Sequence, residues 1–218
     1  MSSPPRHHLP ESTLLEYAAG TLSEGVGVLV GTHLALCPPC RERSQAYDAI
    51  GGEILAEAKR PVLDPSVLDG LLQKLDAVDT HRPTPVPVRY DGVIPMPLRR
   101  YTGPFDDIRW TFVAPGIWKL PLSIESLGRH GALVHLRGGV RIPNHQHLGV
   151  ERTLVLTGGF TDERSQFVRG DLCIRDPVDS IHAQVIDRGE PCIALALDDA
   201  GKQPTTLMGR ILNRLFED

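Results

Sequence analysis

Two short stretches of this 218-residue chain carry side chains whose type and spacing suit metal chemistry. The first is HLALCPPC, from His33 to Cys40. His33 and Cys37 are four residues apart, so on a helix they project from one face about one turn apart. Cys40 follows at CxxC spacing, which lets two thiolates reach one small tetrahedral ion. That supplies three ligands of zinc type, and the pair His7-His8 is the nearest source of a fourth. The same residues also fit a buried helix histidine beside two unlinked thiols, or a redox CxxC. The histidine four residues upstream of the CxxC, in a small helical segment with no other staple, favours zinc.

The second stretch is GVRIPNHQHLGVERTLVLTG, from Gly139 to Gly158, with His145, His147 and Glu151 in the order H-x-H-x3-E. Positions i and i+2 of a strand share a face, so His145 and His147 converge if that strand lines a barrel. Glu151 opens the next strand across a turn. GDLCIRDPVDSIH, from Gly170 to His182, supplies His182 as a fourth candidate. Three imidazoles and a carboxylate suit zinc, iron, manganese or nickel, and ligand type alone does not choose among them. A barrel that has lost its metal is the competing reading.

These residues must be positioned by two different kinds of structure. Residues 1–80 carry six Lys/Arg against eleven Asp/Glu, a net of −5, and read as short helices. Ser12 or Thr13 can cap the first and Gly20 can end it; Ser23 lies near the start of the next. Pro38 suits the first turn of a third, which carries Ile50 and Ile54 and is weakened at Gly51-Gly52. A fourth fits Pro65 to Val78. Eighty residues of such helices bury little surface alone, so this part needs a staple, a partner or both. Residues 81–97 hold five prolines, which disfavour helix and suit an extended spacer. Residues 98–205 read as strands: GALVHLRGG, RTLVLTGGF, DLCIRD, AQVI and CIALALDD are short apolar or alternating runs separated by Gly, Pro and Asp. LMGRILNRLF, within 206–218, is expected to form a terminal helix or tail. The fold class expected is a small helical bundle followed by an all-β barrel.

HxxxCxxC with an upstream histidine resembles the zinc-binding anti-sigma domain, and residues 6–58 resemble the N-terminal region of the ChrR anti-sigma factors in particular. The second stretch, G-x5-H-x-H-x3-E-x6-G, fits the first cupin motif at every fixed position. Gly170, Pro177 and His182 match the second cupin motif, with one residue extra between Gly170 and Pro177. Asp179 stands where glycine is usual and Ile186 where asparagine is common. Helical zinc domain, linker and cupin barrel follow in the order of a ChrR-type protein. The resemblance implies zinc ligands at His8, His33, Cys37 and Cys40, with the metal mainly structural, and a second metal, zinc in this family, at His145, His147, Glu151 and His182. It further implies that the partner is an extracytoplasmic-function (ECF) sigma factor, released in response to singlet oxygen or related photo-oxidative and peroxide stress. The resemblance also implies that the cupin is needed for that release, and a binding protein rather than an enzyme is expected.

Composition narrows the alternatives. The net charge of −4 and the lack of a basic helix argue against direct binding of nucleic acid. No apolar run approaches the ~20 residues of a membrane span, and MSSPPRHHLPEST lacks the apolar core of a secretory signal, so a cytoplasmic location is expected. The alternative function is a metal-dependent cupin enzyme, a small dioxygenase or isomerase, with a regulatory N-terminal domain. Cys173 and Cys192 show no ligand spacing and are expected to be buried as small hydrophobes. His81, His130 and His135 are expected to serve packing or surface.

Overall fold

The computed structural model describes residues 4–59, 62, 64–76, 92–124, 131–147, 149–176, 182–199 and 202–204. Among the described residues the chain opens with helices α1 (Glu11–Ala18), α2 (Glu24–Leu36), α3 (Pro38–Glu57), α4 (Pro65–Asp76) and α5 (Met96–Thr102). Strands follow: β1 (Thr111–Ala114), β2 (Ile117–Pro121), β3 (Gly131–Leu136), β4 (Arg141–His147), β5 (Glu151–Thr157) and β6 (Gly159–Thr161). The rest are β7 (Gln166–Val168), β8 (Leu172–Arg175), β9 (His182–Ile186), β10 (Cys192–Asp198) and β11 (Lys202–Pro204).

The strands form two antiparallel sheets, ordered β1-β2-β3-β10-β5-β8 and β11-β4-β9-β6-β7. Their facing sides meet through Val155, Cys173 and Ala194 of the first and Phe160, Phe167 and Ile186 of the second. The opposite face of the first sheet is also covered: Leu133, Leu154, Leu172, Leu195 and Leu197 form one core with Leu14, Leu29, Val30 and Leu34 of the helices and with Ile94 and Leu98. This explains why β5 and β10 read as continuous apolar runs rather than alternating ones, since both of their faces leave water. The helical part thus has two supports, the CxxC region and the barrel wall.

Local signals behave as the sequence predicts in several places. Ser23 is the N-cap of α2, Pro38 opens α3, and α4 lies within Pro65 to Val78. Helix α1 begins earlier than Ser12, at Glu11, directly after Pro10. Gly51-Gly52 do not break α3, which runs on to Glu57 as an exposed arm. The proline-rich stretch is not spacer to its end. Ile94 is fully buried, and Pro97 sits in the first turn of α5, where a missing N–H costs nothing. Helix α5 then lies against α2 at Gly31, where a Cβ would come within 3.2 Å of Tyr17 Oη and 3.4 Å of Pro97. Residues 77–91 and 205–218, and with them most of the expected linker and the expected terminal helix, lie outside the described residues.

Candidate metal centre

The HLALCPPC stretch folds as two helices with a break between them. Cys37 N–H donates to His33 O at 2.8 Å, closing the last turn of α2, and Cys37 itself is extended, at φ −118° and ψ 97°. A residue before proline is driven from the helical region by the ring of that proline, so Pro38 ends α2 at the cysteine. The chain restarts at once: Arg41 N–H donates to Cys37 O at 3.1 Å, and Cys40 stands in the first turn of α3. Arg41 Nη1 also donates to Leu34 O at 2.8 Å, satisfying a carbonyl that the end of α2 leaves over.

This break brings the two thiols and His33 together, and His8 arrives from the extended segment before α1. The ligand atoms of His8, His33, Cys37 and Cys40 all lie within 4.8 Å of one another. His8 Nδ1 lies 3.3 Å from Cys37 Sγ and 3.5 Å from Cys40 Sγ. In a tetrahedral zinc site with bonds of about 2.0 Å to nitrogen and 2.3 Å to sulfur, the N···S edge is about 3.5 Å. Donor spacing therefore suits such an ion. So does His33, which is 0% exposed with neither ring nitrogen in a hydrogen bond of normal geometry. Polar atoms so buried normally have a partner. Burial, reinforced by the neighbouring His8, lowers the pKa of His33 to about 4, so its imidazole is neutral and able to ligate. Burial also pushes the Cys37 thiol up to about 11, so without a cation to stabilise the thiolate both the proton and the site's neutrality are retained.

The candidates of the second set lie on three strands in the two sheets, β4, β9 and β5. His145 and His182 are direct partners in the β4–β9 ladder, and His147 lies two residues further along β4, opposite Lys202 of β11. Glu151 opens β5 in the other sheet, opposite Arg175 on β8 and Asp198 on β10. His145 is buried, and its Nδ1 donates to Pro143 O at 3.0 Å. That bond places the proton on Nδ1 and leaves Nε2 unprotonated and able to ligate, as in many metal-bound histidines. Glu151 is 2% exposed. Beside it, fully buried Arg175 pairs through Nη2 with Asp162 Oδ2, and lies 3.4 Å from Glu163 Oε1. Burial opposes ionisation of Asp162, but the N–H groups of Ser165 and Arg164 and the Arg175 guanidinium hold its carboxyl below the usual range.

The other singled-out residues take quieter places. Cys173 and Cys192 are buried, and burial pushes both thiols up to about 12, which removes the reactive thiolate. All four described cysteines are free thiols. His135 is held between Trp110 and Trp118, each ring centroid 5.3 Å away, and burial lowers its pKa. His81 and His130 lie outside the described residues. His7, which the sequence left beside His8 as a rival ligand, turns to Asp171 instead, its Nδ1 3.3 Å from Oδ2. No spacing rule could have paired residues 164 apart.

Residues 99–198 match the family model of the ChrR cupin-like domain. Over 214 residues, 97% of this chain and 98% of the relative, the sequence is 38% identical to the anti-sigma-E factor ChrR of Cereibacter sphaeroides. The chain belongs to the ChrR family. The crystal structure of Rhodobacter sphaeroides SigE in complex with the anti-sigma ChrR contains a chain similar to this one at TM-score 0.76 and 36% identity, covering 89% of this chain and all of that one. The likeness to ChrR thus spans both clusters and the helices between them. Among the described residues no helix is long and apolar enough to cross a membrane.

Proposed function

We propose that this chain is an anti-sigma factor that binds and inhibits an ECF sigma factor in the cytoplasm. The observation that carries this reading is a set of apolar side chains left exposed among the described residues. Ile50, Ile54 and Leu55 on α3, and Val67, Leu68, Leu71, Leu72 and Leu75 on α4, are 44–75% exposed. Exposed apolar stripes of this kind mark an interaction site, and burying each such side chain returns ~1.5–3 kcal/mol. A sigma factor is the partner that the family supplies. The net charge of −5 over residues 1–80 complements the basic faces of a protein that binds nucleic acid.

In this proposal His8, His33, Cys37 and Cys40 hold a zinc ion whose role is structural: it fixes the angle between α2 and α3 and so the direction of the exposed arm. His145, His147, Glu151 and His182 hold the cupin metal, zinc in this reading, with iron, manganese and nickel as the other ions that this ligand set accepts. The barrel carries the response to singlet oxygen or related oxidative stress and weakens the grip of the helices on sigma. Neither metal site catalyses turnover, and the protein does not touch nucleic acid directly.

The test is co-expression of the full chain with each ECF sigma factor of the source genome, followed by copurification. One sigma factor should copurify with the wild type and be lost with the double variant Leu68→Glu/Leu71→Glu, whose sites are already exposed and whose fold should survive. Copurification of none, or unchanged binding by the double variant, overturns the reading.

A further inference from the structure

Just upstream of the N-terminal metal ligands, the chain is tied to the barrel by a buried carboxylate. Asp171, 0% exposed, sits at the turn between β7 and β8. Its Oδ1 accepts from Arg6 N–H at 2.5 Å and from His7 N–H at 2.9 Å, while its Oδ2 accepts from Val168 N–H at 2.9 Å. Leu172 N–H donates to His7 O at 3.1 Å, so the segment before α1 is gripped from both sides of its backbone. The His7 ring is held as well: Nδ1 faces Asp171 Oδ2 at 3.3 Å, and Nε2 lies 2.9 Å from Ser165 Oγ. Gly170, at φ +89°, completes the seat, because a Cβ there would lie 2.6 Å from Pro5 Cγ. The next residue in the chain is His8.

We propose that Asp171 is a positioning residue of the N-terminal metal centre: by fixing the Arg6–His7 backbone it sets where His8 meets Cys37 and Cys40. The inference rests on the reading of those residues as a metal site. Its consequence is a physical link between the barrel and the anti-sigma helices. Phe167, on β7 just before the turn that carries Asp171, stacks on Phe160 in the barrel core with ring centroids 5.0 Å apart, and its ring also lies 4.4 Å from that of His7. A rearrangement inside the barrel that moves this turn moves the segment that carries His8. Coupling of this kind is reciprocal, so loss of the metal also loosens the turn.

Cobalt(II) loaded into the full-length protein gives the test. Binding is followed by the thiolate-to-cobalt absorption band, and affinity by competition with a chelator. Asp171→Ala should weaken binding by about 10–100-fold, the range for residues that orient a ligand, and should shift the band. Asp171→Asn keeps one acceptor oxygen and should fall between. Ser165→Ala, which removes one contact to His7, should give a smaller loss and serves if Asp171→Ala does not fold. His135→Gln perturbs the same domain away from the clamp, on β3 between Trp110 and Trp118, and should leave cobalt affinity unchanged. Chelating the metal from wild type should speed hydrogen exchange at Leu172 N–H. Wild-type affinity and band shape in both Asp171→Ala and Ser165→Ala overturn the inference, as does an equal loss in His135→Gln. A wild-type protein with no thiolate-to-cobalt band instead overturns the metal reading beneath it.

Discussion

The two ligand clusters are built on opposite principles. Three of the four N-terminal candidates lie within eight residues, at one helix break that Pro38 imposes. The barrel set draws its candidate ligands from three strands in two sheets, β4, β9 and β5, and its placement from the ladder that sets His145 opposite His182. In the proposed reading the first takes its local geometry from a metal and the second from a core. On that reading the helical cluster depends on its ion for shape, as small metal domains do. The barrel's fold does not, because two sheets and the Phe160–Phe167 stack hold it whether or not a metal is bound.

That contrast can be broken in order of expected effect. Cys40→Ser or His33→Ala should remove one metal equivalent and abolish sigma copurification, since the arm loses its direction; elemental analysis alongside the pull-down reads both. His145→Ala should also remove one metal equivalent, yet leave sigma bound within about twofold and alter only its release under photosensitised singlet oxygen. Equal loss of sigma binding in both variants would erase the distinction drawn above.

A next, smaller effect concerns the barrel's own stability. Asp162→Asn removes the buried carboxylate from the Arg175 guanidinium and leaves it the exposed Glu163, and breaking such a buried pair costs about 3–5 kcal/mol, read as a lower thermal midpoint. The smallest effect is on pH. A carboxyl depressed in the folded state contributes stability that is complete above its unfolded pKa of about 3.9 and is lost as pH falls through the lower folded value. Acid unfolding of the wild type should therefore steepen below about pH 4, and Asp162→Asn should flatten that limb.

The two clusters also differed in how far they could be read from sequence. His33, Cys37 and Cys40 were legible because helix period and CxxC spacing are local. His8 was chosen over His7 only through a family resemblance; the structure supplies the physical reason, which is that Asp171 claims His7. Barrel strands such as β5 and β10 stood out as apolar runs, whereas β7 and β11, three residues each, carry too little pattern to show. The shared core between helices and first sheet was hidden for a different reason. Leu14, Leu29 and Leu34 announce an apolar face, but nothing in their spacing says that the face will meet Leu154 and Leu195. Ile94 and α5, inside the proline-rich stretch, were masked by composition.

The clamp on Asp171 has a consequence in time as well as in space. His7 leaves the ribosome 164 residues before its seat does, a delay of roughly 8–33 s at about 5–20 residues per second. Throughout that interval the earliest metal ligand is made but not yet held, and the helices have no barrel wall to rest on. The segment that carries His8 therefore meets its Asp171 seat only after most of the barrel strands have been made, so synthesis itself orders the clamp after the helices.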